Sequence, residues 1–331
     1  MKRGTCLFAL LVLFASISVK LSAQETAEFK PSGKPLFVMF TNLHTTFSDN
    51  KYLTAFEVNR GFLGYDYSFS KQFSGRIIYD ATTQTVNGKT IMQGYLRSAY
   101  LQYDNGVFQL KGGLIPSEHL AIVDKLWNYR YIARPLIDIS GMIYTADLGL
   151  SARYKASDMA SFDFSVTNGR GYKDLAADST FRYSAGITFL PVKDLTLRGY
   201  FDLMPEGSAQ WTTGFICAYT GSRFSLGAEF DMQKNHTYNK EHDYSGAAIF
   251  GSYILSEKVS LFGRFYEFSS VVPDGETTAW NSSNDNKTLV AGFDYTPVKG
   301  VRLAPNMTYI DPDEAGADSK TVVGINVEIK F

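Results

Sequence analysis

The side chains of this chain that could do chemistry are mainly arginines that alternate with apolar residues along extended segments. Arginine carries a fixed charge and a planar set of donors, so it suits noncovalent contact with carboxylates and phosphates. Seven arginines follow this alternating pattern: Arg60, Arg76, Arg153, Arg182, Arg198, Arg264 and Arg302. The pattern predicts a surface that contacts anions.

Acidic residues share the faces that carry these arginines, which leaves two interpretations open. They are Asp66, Asp80, Asp147, Asp163, Asp202, Glu229, Asp231, Asp294 and Glu328. In the first interpretation the basic side chains contact anions from outside the chain. In the second the charges pair with one another and select little.

Motifs for catalysis and metal binding are weak. Ser117, His119 and Asp124 are the one local set that combines a nucleophile, a base and an acid, and neighbours on one helical turn seldom align as a triad. His236 and His242 share a polar loop, but no metal-ligand spacing recurs. The acidic residues between 311 and 318 lack the glycine and the terminal glutamate of a calcium loop. The sequence therefore predicts no enzyme activity, no cofactor and no metal site.

The elements that position the arginines are β-strands. Sixteen segments alternate apolar and polar residues with a period of two, although two of them, 91–103 and 211–219, do not separate cleanly into faces. The segments are 36–47, 56–68, 73–80, 91–103, 107–115, 143–154, 162–168, 181–190, 195–202, 211–219, 223–231, 244–255, 259–268, 289–295, 301–309 and 321–331. Short turns, such as Asp104-Asn105-Gly106, alternate with longer polar loops, such as 82–90. An even number of such strands predicts an all-β fold, a transmembrane antiparallel β-barrel.

The two ends of the chain point to export. Residues 1–23 have a basic start, a short apolar run and a small-residue exit, so we expect a signal peptide that leaves 24–331 as one barrel domain. Segment 321–331 alternates throughout and ends on Phe331. It resembles the C-terminal signature of bacterial outer-membrane proteins, which the barrel-assembly machinery reads. A closed barrel needs such a strand to pair with the first one.

The composition agrees with a barrel and argues against nucleic-acid binding. Aromatic residues make up 15% of the chain while the mean hydropathy is −0.12, as expected when aromatic girdles accompany strands with one polar face. Removing residues 1–23 takes away three basic residues and no acids, which lowers the net charge from −1 to −4. Only Cys217 then remains, so no internal disulfide holds the fold.

Segment 116–142 interrupts the strand pattern. Ser117 could cap a short helix, and Arg134-Pro135 would end it or follow its end. The segment is too long for an idle loop, so we expect an external loop that folds into the barrel and narrows it. The alternative is a loop over the mouth of the barrel or against a neighbouring subunit. Arg97, Arg130 and Arg134 are the predicted constriction residues.

Several short pieces resemble the phosphate-selective porin family, porins O and P, together with its broader porin relatives. They are Arg60-Gly61-Phe62-Leu63-Gly64-Tyr65, Gly112-Gly113-Leu114-Ile115-Pro116, Asp147-Leu148-Gly149-Leu150, Val166-Thr167-Asn168-Gly169-Arg170-Gly171, Ala228-Glu229-Phe230 and Gly292-Phe293-Asp294-Tyr295-Thr296-Pro297. The resemblance implies a sixteen-stranded homotrimer with an inward-folded constriction loop. Strictly phosphate-selective members are rich in lumenal lysine, and this chain carries mostly arginine and acids there, so phosphate selectivity is not implied.

We therefore expect a porin of the bacterial outer membrane, through which small polar or anionic solutes diffuse passively. Its expected partners are outer-membrane lipid, the barrel-assembly machinery and two further copies of the chain. A structural or adhesive barrel that acts through its external loops is the alternative. An outer-membrane enzyme that uses Ser117 is a third class.

Overall fold

In the computed structural model, which describes residues 29–175 and 179–331, strands occupy most of the chain. The expected signal peptide, residues 1–23, lies outside the described residues. Among the helices of the described part, none is long and apolar enough to cross a membrane. The architecture that follows is that of the unit Pro31–Phe331.

Sixteen antiparallel strands follow one another around a closed barrel. In chain order they are β1 Ser32–Ser48, β2 Lys51–Ser68, β3 Phe73–Val86, β4 Lys89–Asp104, β5 Phe108–Pro116, β6 Ala146–Lys155, β7 Ala160–Thr167, β8 Arg182–Phe189, β9 Leu195–Met204, β10 Gln210–Thr220, β11 Phe224–Lys234, β12 Tyr244–Ser256, β13 Val259–Ser270, β14 Asn286–Val298, β15 Val301–Pro312 and β16 Lys320–Lys330. The prediction of a sixteen-stranded barrel is confirmed.

The last strand closes the barrel on the first. Strand β16 pairs with β1 from Val38 to Phe47, so no sheet edge remains open. Phe331 and Phe37 exchange backbone N–H···O bonds of 2.9 and 3.1 Å, and their rings stack with centroids 4.7 Å apart. The outward alternation predicted for segment 321–331 is present, with Val323 and Ile325 both exposed. The end of the barrel that holds Phe331 is called the turn end here, and the opposite end the loop end.

The prediction of a polar loop over residues 82–90 is wrong. Threonine-rich stretches on both sides of the turn pair in register, as at Thr85 and Thr90, because β-branched residues favour strands. The reversal is made by Asn87 and Gly88 alone, with φ of 50° and 73°, the backbone of a two-residue hairpin. Residues 49–50 make the same kind of tight turn between β1 and β2. The first two connections at the loop end are therefore short.

Apolar side chains face outward and most charged ones face inward. On neighbouring strands, Leu63 is 64% exposed while Asp80 is fully buried. The two strands without clear faces have separate explanations. Arg97 is the extra residue of a β-bulge in β4, where the register shifts opposite Ile78 and Tyr79. The inward positions of β10, Thr212 to Ala218, carry no charge.

A long connection between β5 and β6 contains both α-helices of the described chain. Helix α1 spans Glu118–Trp127, and the Ser117 hydroxyl caps it by accepting a bond from Leu120 N at 3.3 Å, as predicted. Asn128 ends α1 in the left-handed conformation (φ 63°), several residues before Pro135. Pro135 then begins helix α2, Leu136–Ile139. We call residues 117–145 the inner loop.

The inner loop packs against inward-facing side chains of the barrel. Trp127 is 2% exposed, and its ring lies 5.6 Å from Phe250 of β12 and 6.5 Å from Phe262 of β13. Farther along, Leu136 and Ile137 are fully buried in a second apolar cluster. Side chains therefore fill part of the lumen, where the strand count alone predicted only an aqueous channel. The inner loop supplies the apolar surface that makes this filling possible.

Candidate functional site

A solvent-open cavity of about 640 Å³ lies between the inner loop, strands β1 to β3 and the segment 170–173. We call it the outer cavity. Five basic residues line it: Arg60, Arg130, Arg134, Arg170 and Lys173. Among the described residues around it, Asp138 is the single acidic side chain. The outer cavity therefore carries more positive than negative charge.

Arg60 is held in a fixed orientation on the wall of the outer cavity. Its Nε and Nη2 donate to both oxygens of Asp80 at 2.9 and 2.6 Å. The hydroxyl of Tyr172 also donates to Asp80, at 2.6 Å. Such a bidentate pair fixes the plane of the guanidinium group. The carboxylate of Asp80 largely compensates the charge of Arg60. Arg60 therefore shapes the wall of the outer cavity and adds little to its electrostatic potential.

The two arginines of the inner loop differ in how firmly they are held. Arg130 bonds to both Asp124 and Asp138, the latter at 2.6 Å, and only 13% of its side chain is exposed. Arg134 shares Asp138 at the longer distance of 3.6 Å, and half of its side chain is exposed. Arg134 is thus the loop arginine best placed to meet a solute.

Lys173 supplies a positive charge that has no carboxylate partner among residues 29–175 and 179–331. Its ammonium group lies over the rings of Tyr95 and Tyr172, at 5.0 and 5.9 Å from their centroids. Partial burial and then the charge of Arg60 lower the pKa of Lys173 below its usual value of 10.5. The lysine lies on the wall of the outer cavity.

Arg97 lies beside this group on the bulge of β4. Its guanidinium group and that of Arg60 both lie 5.0 Å from the ring centroid of Phe62. Its Nε is buried without a hydrogen-bond partner, and no ion pair reaches it within the described chain. Of the three predicted constriction residues, Arg130 and Arg134 line the outer cavity, whereas Arg97 is not among its lining residues.

The other predicted pore residues lie in ion pairs along the inner wall. The pairs are Arg76 with Asp66, Arg153 with Glu118, Arg182 with Asp202, Arg198 with Asp163, Arg264 with Glu229, and Arg302 with Asp294. Their burial differs, since Arg198 and Arg264 have no exposed side-chain surface while Arg153 is 41% exposed. For these six arginines the structure agrees with the interpretation in which charges pair with one another.

Sequence reasoning missed the contribution of segment 170–173. Arg170 and Gly171 belong to one of the pieces that resemble the phosphate-selective porins, and the sequence predicts no role for them. Gly171 has φ of 78°, and the ring of Tyr144 occupies the space where a side chain would start, 2.7 Å away. The signal in the sequence was a glycine and a tyrosine between two basic residues, Arg170 and Lys173. Glycine readily adopts a backbone conformation with positive φ.

The weak catalytic and metal candidates have structural roles here. His119 accepts a bond from Arg198 at 3.1 Å and stacks on Tyr200, while Ser117 caps α1. His236 and His242 both stack on Trp280, at 5.4 and 4.6 Å. No group of three or more His, Cys, Asp or Glu residues placed to hold a metal ion occurs in the described ranges.

The barrel is similar to solved structures of outer-membrane porins and channels. A complex of OmpF from Salmonella typhi with daunomycin superposes with a TM-score of 0.67 at 12% identity, over 90% of this chain and 97% of that one. The outer membrane channel DcaP of Acinetobacter baumannii gives 0.63 at 15% identity, over 94% and 100%. An anion-selective porin from Comamonas acidovorans gives 0.66 at 10% identity, over 91% and 100%.

Sequence comparison adds no closer relation. No protein-family model matches the chain, and no curated protein matches it. At such low identities the structural similarity establishes the architecture. The chain has the fold of the outer-membrane porins.

Proposed function

We propose that the protein is a porin of the bacterial outer membrane through which small polar and anionic solutes diffuse passively. The observation that supports this most is the outer cavity, a water-accessible space inside a closed barrel with five basic residues and one acid on its wall. Charged residues that line a narrow pore determine which ions enter it.

The expected selectivity is weak. Arg60 and Arg130 are compensated by bonded carboxylates, which leaves the half-exposed Arg134 and Lys173 as the main sources of positive potential on the wall of the outer cavity. A few uncompensated charges raise the local anion concentration without excluding other solutes. We therefore propose a slight anion preference and no strict phosphate selectivity.

The remaining proposals concern export and assembly. Residues 1–23 act as a signal peptide, and the barrel-assembly machinery reads the strand that ends on Phe331, whose ring is 75% exposed. The loop end faces the outside of the cell and the turn end faces the periplasm. The resemblance to phosphate-selective porins supports a homotrimer, which cross-linking of the native membrane protein would test.

Ion conductance tests the proposal directly. In planar bilayers we expect the purified protein to conduct ions. In a salt gradient, the sign of its reversal potential should indicate that anions permeate better than cations. Exchanging Arg134 and Lys173 together for glutamine should lower the anion-to-cation permeability ratio roughly twofold, since both charges face the cavity. Lys193→Gln removes a similar charge at an exposed turn-end position and is the matched control.

Two outcomes would contradict different parts of this proposal. A bilayer that stays silent with correctly folded protein contradicts the pore itself. Conduction with an unchanged permeability ratio in the Arg134 and Lys173 variant contradicts the role of the outer cavity.

A structural or adhesive barrel is the second candidate, favoured by one observation. The inner loop fills part of the lumen with buried rings, including Trp127 at 2% and Tyr129 at 3% exposure. If this packing closes the barrel completely, the protein acts through its loops and membrane anchorage. Absence of conductance, together with binding to cells or matrix that is lost when the loop-end connections are shortened, would favour this second function.

A further inference from the structure

Three cavities inside the barrel form a series from the loop end to the turn end. The outer cavity and a narrow chamber of about 50 Å³ share the lining residues Ile143 and Tyr144. That chamber, which we call the inner chamber, shares Gln109 and Arg153 with a third cavity of about 190 Å³. The third cavity is lined by residues of the turn-end connections, such as Gly106 and Ser157, and we call it the exit cavity.

The inner chamber lies between helix α1 and strands β5 to β8. These four strands, which we call the short wall, have 9, 10, 8 and 8 residues, against 17 and 18 in β1 and β2. Among the inward residues of the short wall that line the chamber, Ser151, Ser165 and Ser184 carry small hydroxylated side chains. Ser151 of β6 is in register with Ser165 of β7, which is in register with Ser184 of β8.

The inner loop packs closely against the barrel wall on the other side of the lumen. Opposite the short wall, the inward side chains Ile216, Phe250, Phe262 and Val290 are all at most 5% exposed, because they pack with the inner loop. The loop therefore occupies one side of the lumen. Below the outer cavity, the inner chamber and the third cavity both border the short wall.

We propose that the conducting path is off-centre and follows the short wall. It descends through the outer cavity, passes Tyr144, crosses the inner chamber and leaves through the exit cavity beside Arg153. This inference depends on the proposed pore function. It assigns the narrowest point to Tyr144, whose ring lies against Gly171 and over the guanidinium group of Arg182 at 5.5 Å.

The chemistry of the inner chamber indicates which solutes the path favours. Most of its charged residues lie in ion pairs, as in Arg153 with Glu118 and Asp163 with Arg198, while Asp147 accepts bonds from the amides of Leu148 and Gly169. The serine row offers hydroxyls that both donate and accept. In addition, the Nε of Arg182 is buried on this chamber's wall with no hydrogen-bond partner among the described residues.

A solute that carries both a negative group and hydroxyls suits the outer cavity and then the inner chamber. The basic outer cavity attracts the negative group. In the inner chamber, hydrogen bonds from serine then replace the hydrogen bonds that water made to the hydroxyls of the solute. The geometry points to small hydroxylated organic anions as the preferred class.

Filling the chamber tests the route. Ser165→Trp places an indole in the inner chamber, and we expect single-channel conductance to fall roughly two- to threefold because conductance follows the open cross-section. The matched control is Ser225→Trp on β11. Ser225 is also part-buried and faces inward, and it bonds to Ser252 at 2.8 Å as Ser165 bonds to Ser184 at 2.6 Å. We expect Ser225→Trp to leave conductance within experimental error.

Enlarging the narrow point gives a test in the opposite direction. Tyr144→Ala should raise conductance, because it removes the ring that separates the outer cavity from the inner chamber. A gain in this variant together with a loss in Ser165→Trp supports the off-centre path. An equal loss in the two tryptophan variants, or a loss only in Ser225→Trp, overturns it while the pore function stands.

The solute class is tested by permeability ratios. Glycerate and propionate differ in their hydroxyl groups, and we expect glycerate to permeate better relative to chloride although it is larger. Replacing Ser151, Ser165 and Ser184 by alanine should abolish this preference. Equal permeation of both acids in the native protein, or a preference that survives the triple substitution, overturns the assignment of hydroxylated anions. A protein that conducts no ion at all instead contradicts the proposed function.

Discussion

The short wall and the wall that holds the inner loop, β10 to β14, differ in the size of their inward side chains. The loop-bearing wall presents Phe250 and Phe262, and the short wall presents Ser165 and Ser184 at the level of the inner chamber. Burying an aromatic side chain stabilises the fold by about 1.5–3 kcal/mol, so the loop is held where such rings occur. The position of the inner loop thus follows from the residues on one side of the barrel, and open space remains on the other.

Ion pairs also differ between the loop-bearing wall and the outer cavity. Glu229 of β11 accepts bonds from the amides of Leu136 and Ile137 at 3.4 and 3.3 Å. Its partner Arg264 donates to the carbonyl oxygen of Arg134 at 2.6 Å. Beside the outer cavity, the pair of Arg60 with Asp80 bonds Tyr172 and leaves the cavity open. Arginine–carboxylate pairs therefore bind the backbone of the inner loop on one side of the barrel and line the outer cavity on the other.

The largest expected effect comes from removing the ring that anchors the loop. Trp127→Ala deletes the contacts with Phe250 and Phe262 and the bond from Trp127 Nε1 to Ala133 O, which is 2.7 Å long. A buried Trp-to-Ala change costs about 3–5 kcal/mol, so the loop should detach while the barrel stays closed. We expect larger conductance and rapid tryptic cleavage within residues 125–134.

A matched control separates loop detachment from general damage. Trp211→Ala on β10 removes an indole whose nearest ring partner is Phe201, which is 45% exposed on the outer face. It should change neither cleavage nor conductance. If Trp127→Ala behaves in the same way, the rings of the loop-bearing wall do not determine where the loop lies.

A smaller effect is expected from breaking the buried ion pair that holds α2. Arg264→Met leaves Glu229 without its cation. We expect the free energy that holds the inner loop on the barrel wall to fall by about 2–3 kcal/mol. This is less than the usual cost of breaking a buried pair because two backbone amides still bind Glu229. Adding Glu229→Gln removes the stranded charge and keeps an acceptor, so the double variant should regain part of the loss. The denaturant dependence of tryptic cleavage in the loop measures both changes, and a double variant less stable than Arg264→Met would contradict this account.

Much of the barrel could be predicted from residue alternation. The number of strands, the outward face of the last strand and the pairing of β16 with β1 follow from the period of two and from the need to close the sheet in lipid. The error at residues 82–90 arose because threonine is polar, although its β-branched side chain fits a strand well. Polarity alone did not distinguish a loop from a strand that extends beyond its neighbours.

The division of the lumen was not predicted, because apolar residues were assigned to the lipid side alone. Phe40, Phe62, Phe250 and Phe262 face inward and are buried by the loop. The signal was present in β12 and β13, where bulky apolar residues occupy both faces, as at Ile249 and Phe250. Such a strand needs a second apolar surface inside the barrel, and the segment 116–142 was available to supply it.

The smallest expected effect is an acid response confined to the loop end above the loop-bearing wall. His236 bonds to Gln233 and Tyr244 at 2.6 and 2.9 Å, and its ring stacks on Trp280. Burial, and then the charge of His242, lowers the pKa of His236 from 6.5 to about 4. The unfolded loop binds the proton more readily, so the stability from neutral His236 is complete above the ordinary pKa and is lost as the pH falls from 6.5 toward 4.

Hydrogen exchange can locate this response on one side of the barrel. Between pH 7.5 and 5, exchange corrected for its intrinsic pH dependence should rise in the segments 235–243 and 271–285, because a protonated His236 no longer suits its buried site. The segment 168–175, which contains no histidine, is the internal reference and should not change. His236→Phe keeps a ring on Trp280 and should remove the pH dependence. An equal rise in all three segments would mean that acid loosens the loop end as a whole, and that the two sides of the barrel do not differ in this respect.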